Sequence, residues 1–215
     1  MKSILREGLF ITFEGGEGAG KSTLIEEMAM QLASTGYEVL KTREPGGTKL
    51  GEHVRQILLQ HSHEKVSVYA ELCLFLASRA QHISEVIGPA LEARKIVLCD
   101  RFNDSSVAYQ GAARGLGMEK VAAFCDFISE GLEPQLTLYL DIDPELGLSR
   151  AKKSRAQDRI ESETLAFHSK IREAYLSILK ESPRRFHRLD ASKAPIEVFN
   201  EAMKQVNPLL AAHHV

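Results

Sequence analysis

The sequence predicts an α/β fold, with a five-stranded parallel sheet, helices on both faces and a small lid segment. Three observations carry this. Five short apolar runs, at 9–13, 37–41, 95–99, 136–140 and 186–189, alternate with helical patterns along the 215 residues. Parallel strands need such crossovers, and strands buried on both faces read as continuous apolar runs. Polar residues stand at or close after the run ends, at Gly15, Arg43, Asp100, Asp141 and Asp190. In such sheets ligands gather at the carboxyl ends of the strands, so these residues collect at one edge. No repeat, low-complexity segment or linker divides the chain, and its length suits one core, so residues 1–215 are expected to form a single domain.

The first run leads into Gly15-Gly16-Glu17-Gly18-Ala19-Gly20-Lys21-Ser22, which fits G-x-x-x-x-G-K-[ST], and a helical pattern with Leu24, Ile25, Met28 and Leu32 follows. This strand–turn–helix context is what makes the motif a P-loop. Its glycines let successive N–H groups point into one concavity, and the helix turns its positive end to the same place. Lys21 would reach the β- and γ-phosphates of a nucleotide, and the Ser22 hydroxyl would ligate Mg²⁺. Thr23 completes the expected ATP-binding stretch from Gly15. Glu17 is a carboxylate inside an anion cradle: it either points to solvent or accepts a hydrogen bond from a hydroxyl of a second substrate.

Gly36 reads as the cap of the first helix, and the second strand follows at 37–41. Arg43-Glu44-Pro45-Gly46-Gly47 is a loop by composition. A helix at 49–59 carries Arg55, a surface charge or a bidentate grip on a second phosphate. A longer helix at 66–93, with a kink at Pro89, carries Phe75 and Arg79 four residues apart on one face. The pair is either a core ring with an exposed cation or a ring and planar fork for a base. The third strand ends at Asp100-Arg101-Phe102. Asp100 resembles the second acid of P-loop proteins, which helps to hold Mg²⁺, and Arg101 adds a cation where a phosphoryl group would lie, unless the two form a local ion pair.

A short helix is expected at 104–109, then an irregular stretch marked by Gly111, Gly115 and Gly117, then a helix at 121–128. The residues of 105–110 share the ambiguity of Phe75 and Arg79. The fourth strand is followed by helical patterns at 145–150 and 163–180, the last strand at 186–189, and a helix opened by Pro195. Between the helical patterns lies Lys152-Lys153-Ser154-Arg155-Ala156-Gln157-Asp158-Arg159, either a solvated surface or a mobile lid at about 151–161 that carries an arginine over the transferring phosphate. His213-His214 reads as a tail.

Composition excludes more than it selects. The net charge of −2 gives no reason to expect nucleic-acid or membrane binding. Cys73, Cys99 and Cys125 are isolated and odd in number, so all three read as small core residues in a reducing compartment. Arg6 and Glu7 interrupt any signal-peptide core, and no apolar run approaches a membrane span, so a cytoplasmic protein is expected. The guanine-recognition Asn-Lys-x-Asp element and the Leu-Ser-Gly-Gly-Gln signature of transporter ATPases are both missing from the sequence. A second phosphate site and a basic lid point to kinase chemistry.

Over nearly its whole length the chain resembles the bacterial thymidylate kinases. The motifs that carry this are the acidic P-loop, Thr42-Arg43-Glu44-Pro45-Gly46-Gly47-Thr48, Phe75 with Arg79, Asp100-Arg101-Phe102, Ala108-Tyr109-Gln110-Gly111 and Asp158-Arg159-Ile160-Glu161. The resemblance implies transfer of the γ-phosphate of ATP to dTMP with Mg²⁺, by a homodimer. It implies that Glu17 meets the 3′-hydroxyl, that Arg55 and Arg101 hold the acceptor phosphate, and that Phe75 stacks on thymine while Arg79 bonds its carbonyl edge. Ser106 and Gln110 would lie at the polar edge of the base. Tyr109 would crowd the 2′ position, and Asp158 and Glu161 would close over the acceptor. Asp100 would organise Mg²⁺ and Arg101. Arg155 is the choice for the lid arginine, with Arg150 the second candidate. Two other readings stay open: a kinase for another nucleoside monophosphate, and a nucleotide-binding regulator without turnover.

Overall fold

The computed structural model describes residues 5–61, 66–154 and 158–213. Five strands form one all-parallel sheet: β1 (Leu9–Gly15), β2 (Val39–Arg43), β3 (Ile96–Asp100), β4 (Leu136–Asp141) and β5 (Phe186–Asp190), in the order β2-β3-β1-β4-β5. The expected polar residues are the last residues of the strands. Arg43 pairs in register with Asp100, and Asp141 with Asp190. Of these five, Arg43 and Asp100 line the cleft described below; Asp141 is held by Arg172, Arg188 and Tyr139 instead.

The period-two alternation of the strands separates two cores. Leu9, Ile11, Phe13, Leu98 and Leu138 pack with α1 (Lys21–Ser34) and α9 (Pro195–His213). On the other face Phe10, Val97, Cys99 and Phe102 pack with Ile87 and Ala90, while Tyr139 and Phe186 join Tyr109, Ile171 and Tyr175. The remaining helices are α2 (Lys49–Leu59), α3 (Val68–His82), α4 (Gly88–Glu92), α5 (Asn103–Ser106), α6 (Met118–Ser129), α7 (Pro144–Ser154) and α8 (Leu165–Glu181).

Several expectations are corrected. β2 begins at Val39 because the Tyr37 N–H still caps α1, donating to the Leu32 carbonyl at 3.2 Å. The helix expected over 66–93 starts at Val68, where the Ser67 hydroxyl caps the Ala70 N–H, and widens into a π turn at Ile83–Ile87. Pro89 has no N–H to give, and the wider turn absorbs the missing rung. The helix expected over 104–109 begins at Asn103 and continues as a π segment, Val107–Ala113, which takes in Gly111. Cys73 is exposed while Cys99 and Cys125 are buried. α3 covers the fold with Leu72, Leu76 and Arg79, which turns residue 73 outward. His213 is no tail: it ends α9 and its carbonyl accepts the Arg6 N–H at 2.8 Å. His214 and Arg155 lie outside the described residues.

Candidate active site

One cleft of about 710 Å³ opens at the carboxyl edge of the sheet, and its described wall brings together the residues expected to bind two substrates except Gly15, Gly16 and Arg155. On the donor side, α1 starts at Gly20 in a left-handed conformation (φ 92°), with no side chain capping its first N–H groups. That leaves an electropositive helix end open to an anion. Glycine at 18 is required twice over. Its φ is +65°, and a Cβ there would stand 2.0 Å from the Gly147 carbonyl oxygen of α7. Gly147, which local sequence reading passes over, is the counterpart that lets α7 approach the loop.

Lys21 is buried, and its ammonium donates to the Gly15 and Gly16 carbonyls, each at 3.1 Å. Burial, with Arg101 nearby, pulls its pKa below the ordinary lysine value against the opposing pull of Asp100, Glu17 and Glu14. Ser22, Thr23 and Arg150 are exposed at the same end of the cleft, and Arg150 donates to the Ala191 carbonyl at 2.8 Å. Asp100 has one carboxylate oxygen buried with no hydrogen-bond partner among the described residues. An unsatisfied carboxylate and the Ser22 hydroxyl in one cleft are oxygen donors of the kind that Mg²⁺ takes when phosphates and water supply the other ligands.

Glu17 points into the cleft, not to solvent. Its Oε1 accepts from Arg101 Nη2 at 2.7 Å and from the Tyr109 hydroxyl at 3.0 Å. Burial would raise its pKa, but Arg101, Lys21 and the Tyr109 hydroxyl together lower it to about 2. Arg101 is a non-glycine residue at φ 71°, a conformation that costs free energy and is held by its surroundings. Its Nη1 donates to the Gly15 carbonyl at 3.0 Å and to Ser105 Oγ at 3.2 Å, and its guanidinium lies 4.9 Å from the Tyr109 ring centre. The alternative of a local Asp100–Arg101 ion pair has no contact among the described residues; Arg101 turns to Glu17 instead.

On the other wall, Arg55 is half-buried and donates to the Pro45 carbonyl at 3.1 Å, so it belongs to the cleft rather than the outer surface. Phe75 is half-buried in the cleft wall. Arg79 is 1% exposed, the reverse of a core ring with an exposed cation. It is clamped by Glu44 at 2.7 Å and by the Phe102 carbonyl at 3.1 Å, and Glu44 is held in turn by His82 at 3.0 Å. Ser106 lines the cleft, and its Oγ is buried with no hydrogen-bond partner within the usual distance among the described residues. Gln110 lines the cleft and donates to Glu71 at 3.0 Å. Asp158 caps the turn after α7, accepting from the Ile160 and Glu161 N–H groups at 2.9 Å, and Glu161 folds back onto the Asp158 N–H at 3.1 Å.

Sequence reasoning missed Glu14. It is fully buried under the P-loop, with the Phe102 N–H at 2.8 Å, Ser105 Oγ at 2.5 Å and the Tyr175 hydroxyl at 2.8 Å. Burial first, and Asp104 second, raise its pKa to about 7 against these hydrogen bonds and Arg101. A charged residue inside an apolar strand was the available signal. Glu44 and Glu71 gave none beyond their identity, since their partners are distant in sequence.

The arrangement is an anion cradle with a buried cation on one side, and an acid, two arginines and an aromatic wall on the other. That is what transfer between two phosphates requires. Comparison with known proteins agrees. The family profile described as thymidylate kinase matches residues 13–202. A thymidylate kinase of Protochlamydia amoebophila is 51% identical over 213 residues, covering 95% of this chain and 94% of the relative. One from Pseudomonas fluorescens is 47% identical over 203 residues, covering 94% and 96%. The crystal structure of thymidylate kinase from Ehrlichia chaffeensis superposes with a TM-score of 0.77 at 31% identity, covering 93% of this chain and 98% of that one.

Proposed function

The chain belongs to the thymidylate kinase family, and from that premise we propose that its cleft transfers the γ-phosphoryl group of ATP to dTMP, giving dTDP and ADP. The observation that carries this reading is the carboxylate of Glu17 inside the phosphate cradle, bound to Arg101 and Tyr109 at once. An acid there opposes a triphosphate but suits a sugar hydroxyl of a second substrate.

ATP binds with its phosphates on the loop from Gly15 to Thr23 and the first N–H groups of α1. Lys21 exchanges its two carbonyl partners for phosphate oxygens. Ser22 and Asp100 would hold Mg²⁺, which would supply charge neutralisation on the donor phosphates. dTMP lies with its base between Phe75 and the Arg79, Ser106 and Gln110 edge, its 3′-hydroxyl on Glu17 and its phosphate on Arg55 and Arg101. Tyr109 fills the space a ribose 2′-hydroxyl would need. The acceptor is already an anion, so no strong general base is required. Catalysis is in-line positioning plus neutralisation of the transferred group by Lys21 and Arg101. Residues 151–161 act as a lid over it, with Arg155 or Arg150 as its cation.

The enzyme acts as a homodimer in the cytoplasm. Ile57 of α2, Tyr69 and Cys73 of α3, and Phe124 and Phe127 of α6 are exposed on the three helices that pack side by side, α3 against both α2 and α6. An apolar surface of this kind supports pairing with a second copy. The three free cysteines suit a reducing compartment, and no helix among the described residues is long and apolar enough to cross a membrane.

The test is ADP release with ATP and Mg²⁺, comparing dTMP with no acceptor, dUMP and UMP, on protein whose mass is read by sedimentation at the assay concentration. Strong stimulation by dTMP and little by UMP, from a dimer, is expected. Equal release with and without dTMP would overturn the acceptor site, and a monomer that turns over normally would remove the dimer.

A further inference from the structure

We infer that Glu71, which does not line the cleft, is a positioning residue for base selection: its carboxylate fixes the side-chain amide of Gln110 so that an acceptor oxygen, not an N–H, faces the acceptor nucleotide. This rests on the reading that a pyrimidine occupies the wall formed by Phe75, Arg79 and Gln110.

Glu71 sits in the first turn of α3 and is 2% exposed. Four donors converge on it. Gln110 Nε2 and Arg114 Nε each reach Oε1 at 3.0 Å, while Arg159 Nη2 reaches Oε2 at 2.7 Å and Arg114 Nη2 reaches it at 3.3 Å. Burial would raise its pKa, but Gln110, Arg114 and Arg159 lower it, so the group is an ionised, acceptor-only carboxylate. An amide beside such a group has one allowed orientation, with its NH₂ toward the carboxylate. Gln110 is 1% exposed and lines the cleft, so its carbonyl oxygen is committed to the other side. A base must then offer a donor to that oxygen. Thymine and uracil do so with their ring N–H. Cytosine presents a lone pair at the same place, and two acceptors facing each other in a buried site leave both unsatisfied.

The same carboxylate also holds the far end of the lid. Arg159 follows the basic stretch, and its Nε and backbone N–H are tied to the Leu58 and Leu59 carbonyls at the end of α2, at 2.8 and 3.1 Å. Glu71 thus joins base selection to the root of the lid.

The test is Glu71→Gln. Arg159, whose 2.7 Å contact is the shortest of the four, keeps the new amide oxygen on the Oε2 side, so its NH₂ replaces Oε1, gives up the Arg114 Nε contact and meets Gln110, whose amide must turn over. The ratio of kcat/KM for dTMP over dCMP should fall by about tenfold or more, with dTMP losing chiefly in KM. Rejection by Arg79 at the carbonyl edge keeps dCMP the poorer substrate. In a Gln110→Leu background, Glu71→Gln should no longer move the ratio. A purely structural Glu71 would lower both substrates alike, and an unchanged ratio in the folded variant overturns the inference. Should the variant not fold, wild-type enzyme decides it: a 3-deaza analogue of dTMP, which lacks the ring N–H, should be used about tenfold less efficiently or worse, and equal use overturns the inference. If wild-type enzyme shows no preference for dTMP over dCMP, the base-pocket reading itself has failed and this inference with it. That outcome is visible without any variant.

Discussion

Replacing Glu14 by glutamine isolates the titration of one buried acid. Glu14 lies under the P-loop with its carboxylate between the Phe102 N–H, Ser105 and Tyr175. Burial and Asp104 raise its pKa from 4.5 to about 7. The native state therefore binds more protons at this site than the unfolded chain across that interval. By linkage, the stabilisation from the neutral acid is fully present below the unfolded value and is lost as pH rises through about 7. Moving a carboxyl from 4.5 to about 7 is worth about 3 kcal/mol, most of it lost between about pH 5 and pH 8. Glutamine keeps the shape, an acceptor for Phe102 and a donor for a hydroxyl, but does not titrate. Urea unfolding of both proteins across that range should show the stability of the native chain falling relative to Glu14→Gln by about 2–3 kcal/mol as pH rises. Other carboxylates and histidines titrate in both proteins and cancel in the difference. A flat difference would mean that the hydrogen bonds and Arg101 keep Glu14 ionised throughout, and burial would not be the dominant influence on it.

Two further outcomes follow from the cleft. Arg79→Ala should weaken acceptor binding and also destabilise the fold by about 3–5 kcal/mol, because it strands the buried Glu44 carboxylate; a raised KM for dTMP with an unchanged melting temperature would show that the pair is not structural. Lys21→Ala should lower kcat by about 10²–10³-fold, the usual cost of removing one preorganised charge from a transferring group, with the KM for dTMP held within a few-fold. A loss confined to KM would move Lys21 out of the transition state.

What could be read from the chain alone was whatever local chemistry decides. The P-loop was legible because a strand, four glycines, Lys21 and Ser22 are consecutive, and few turns other than a phosphate cradle need both a tight backbone and open N–H groups beside a lysine. The all-parallel sheet was legible because apolar runs alternated with helical periods, and the polar residues at the run ends marked its working edge. Phe75 and Arg79 could be placed on one face by helical spacing, but spacing could not say that Arg79 is buried. That depends on Glu44 and Phe102, which come from other elements. Glu17 was identified as anomalous from its charge, whereas its direction was decided by Arg101 and Tyr109, both more than eighty residues away. The π turn at Ile83–Ile87 and the π segment at Val107–Ala113 lay beyond a reading tuned to a 3.6-residue period. Glu14 showed only as a charge inside an apolar strand, and Glu71 and Gly147 carry no local signature, because their roles are set by contacts across the sheet and between helices. Short-range rules determine which elements form and which residues carry chemistry. Only the packing of distant segments decides which carboxylate meets which cation, and so which groups stay charged, oriented and ready at the edge of the sheet.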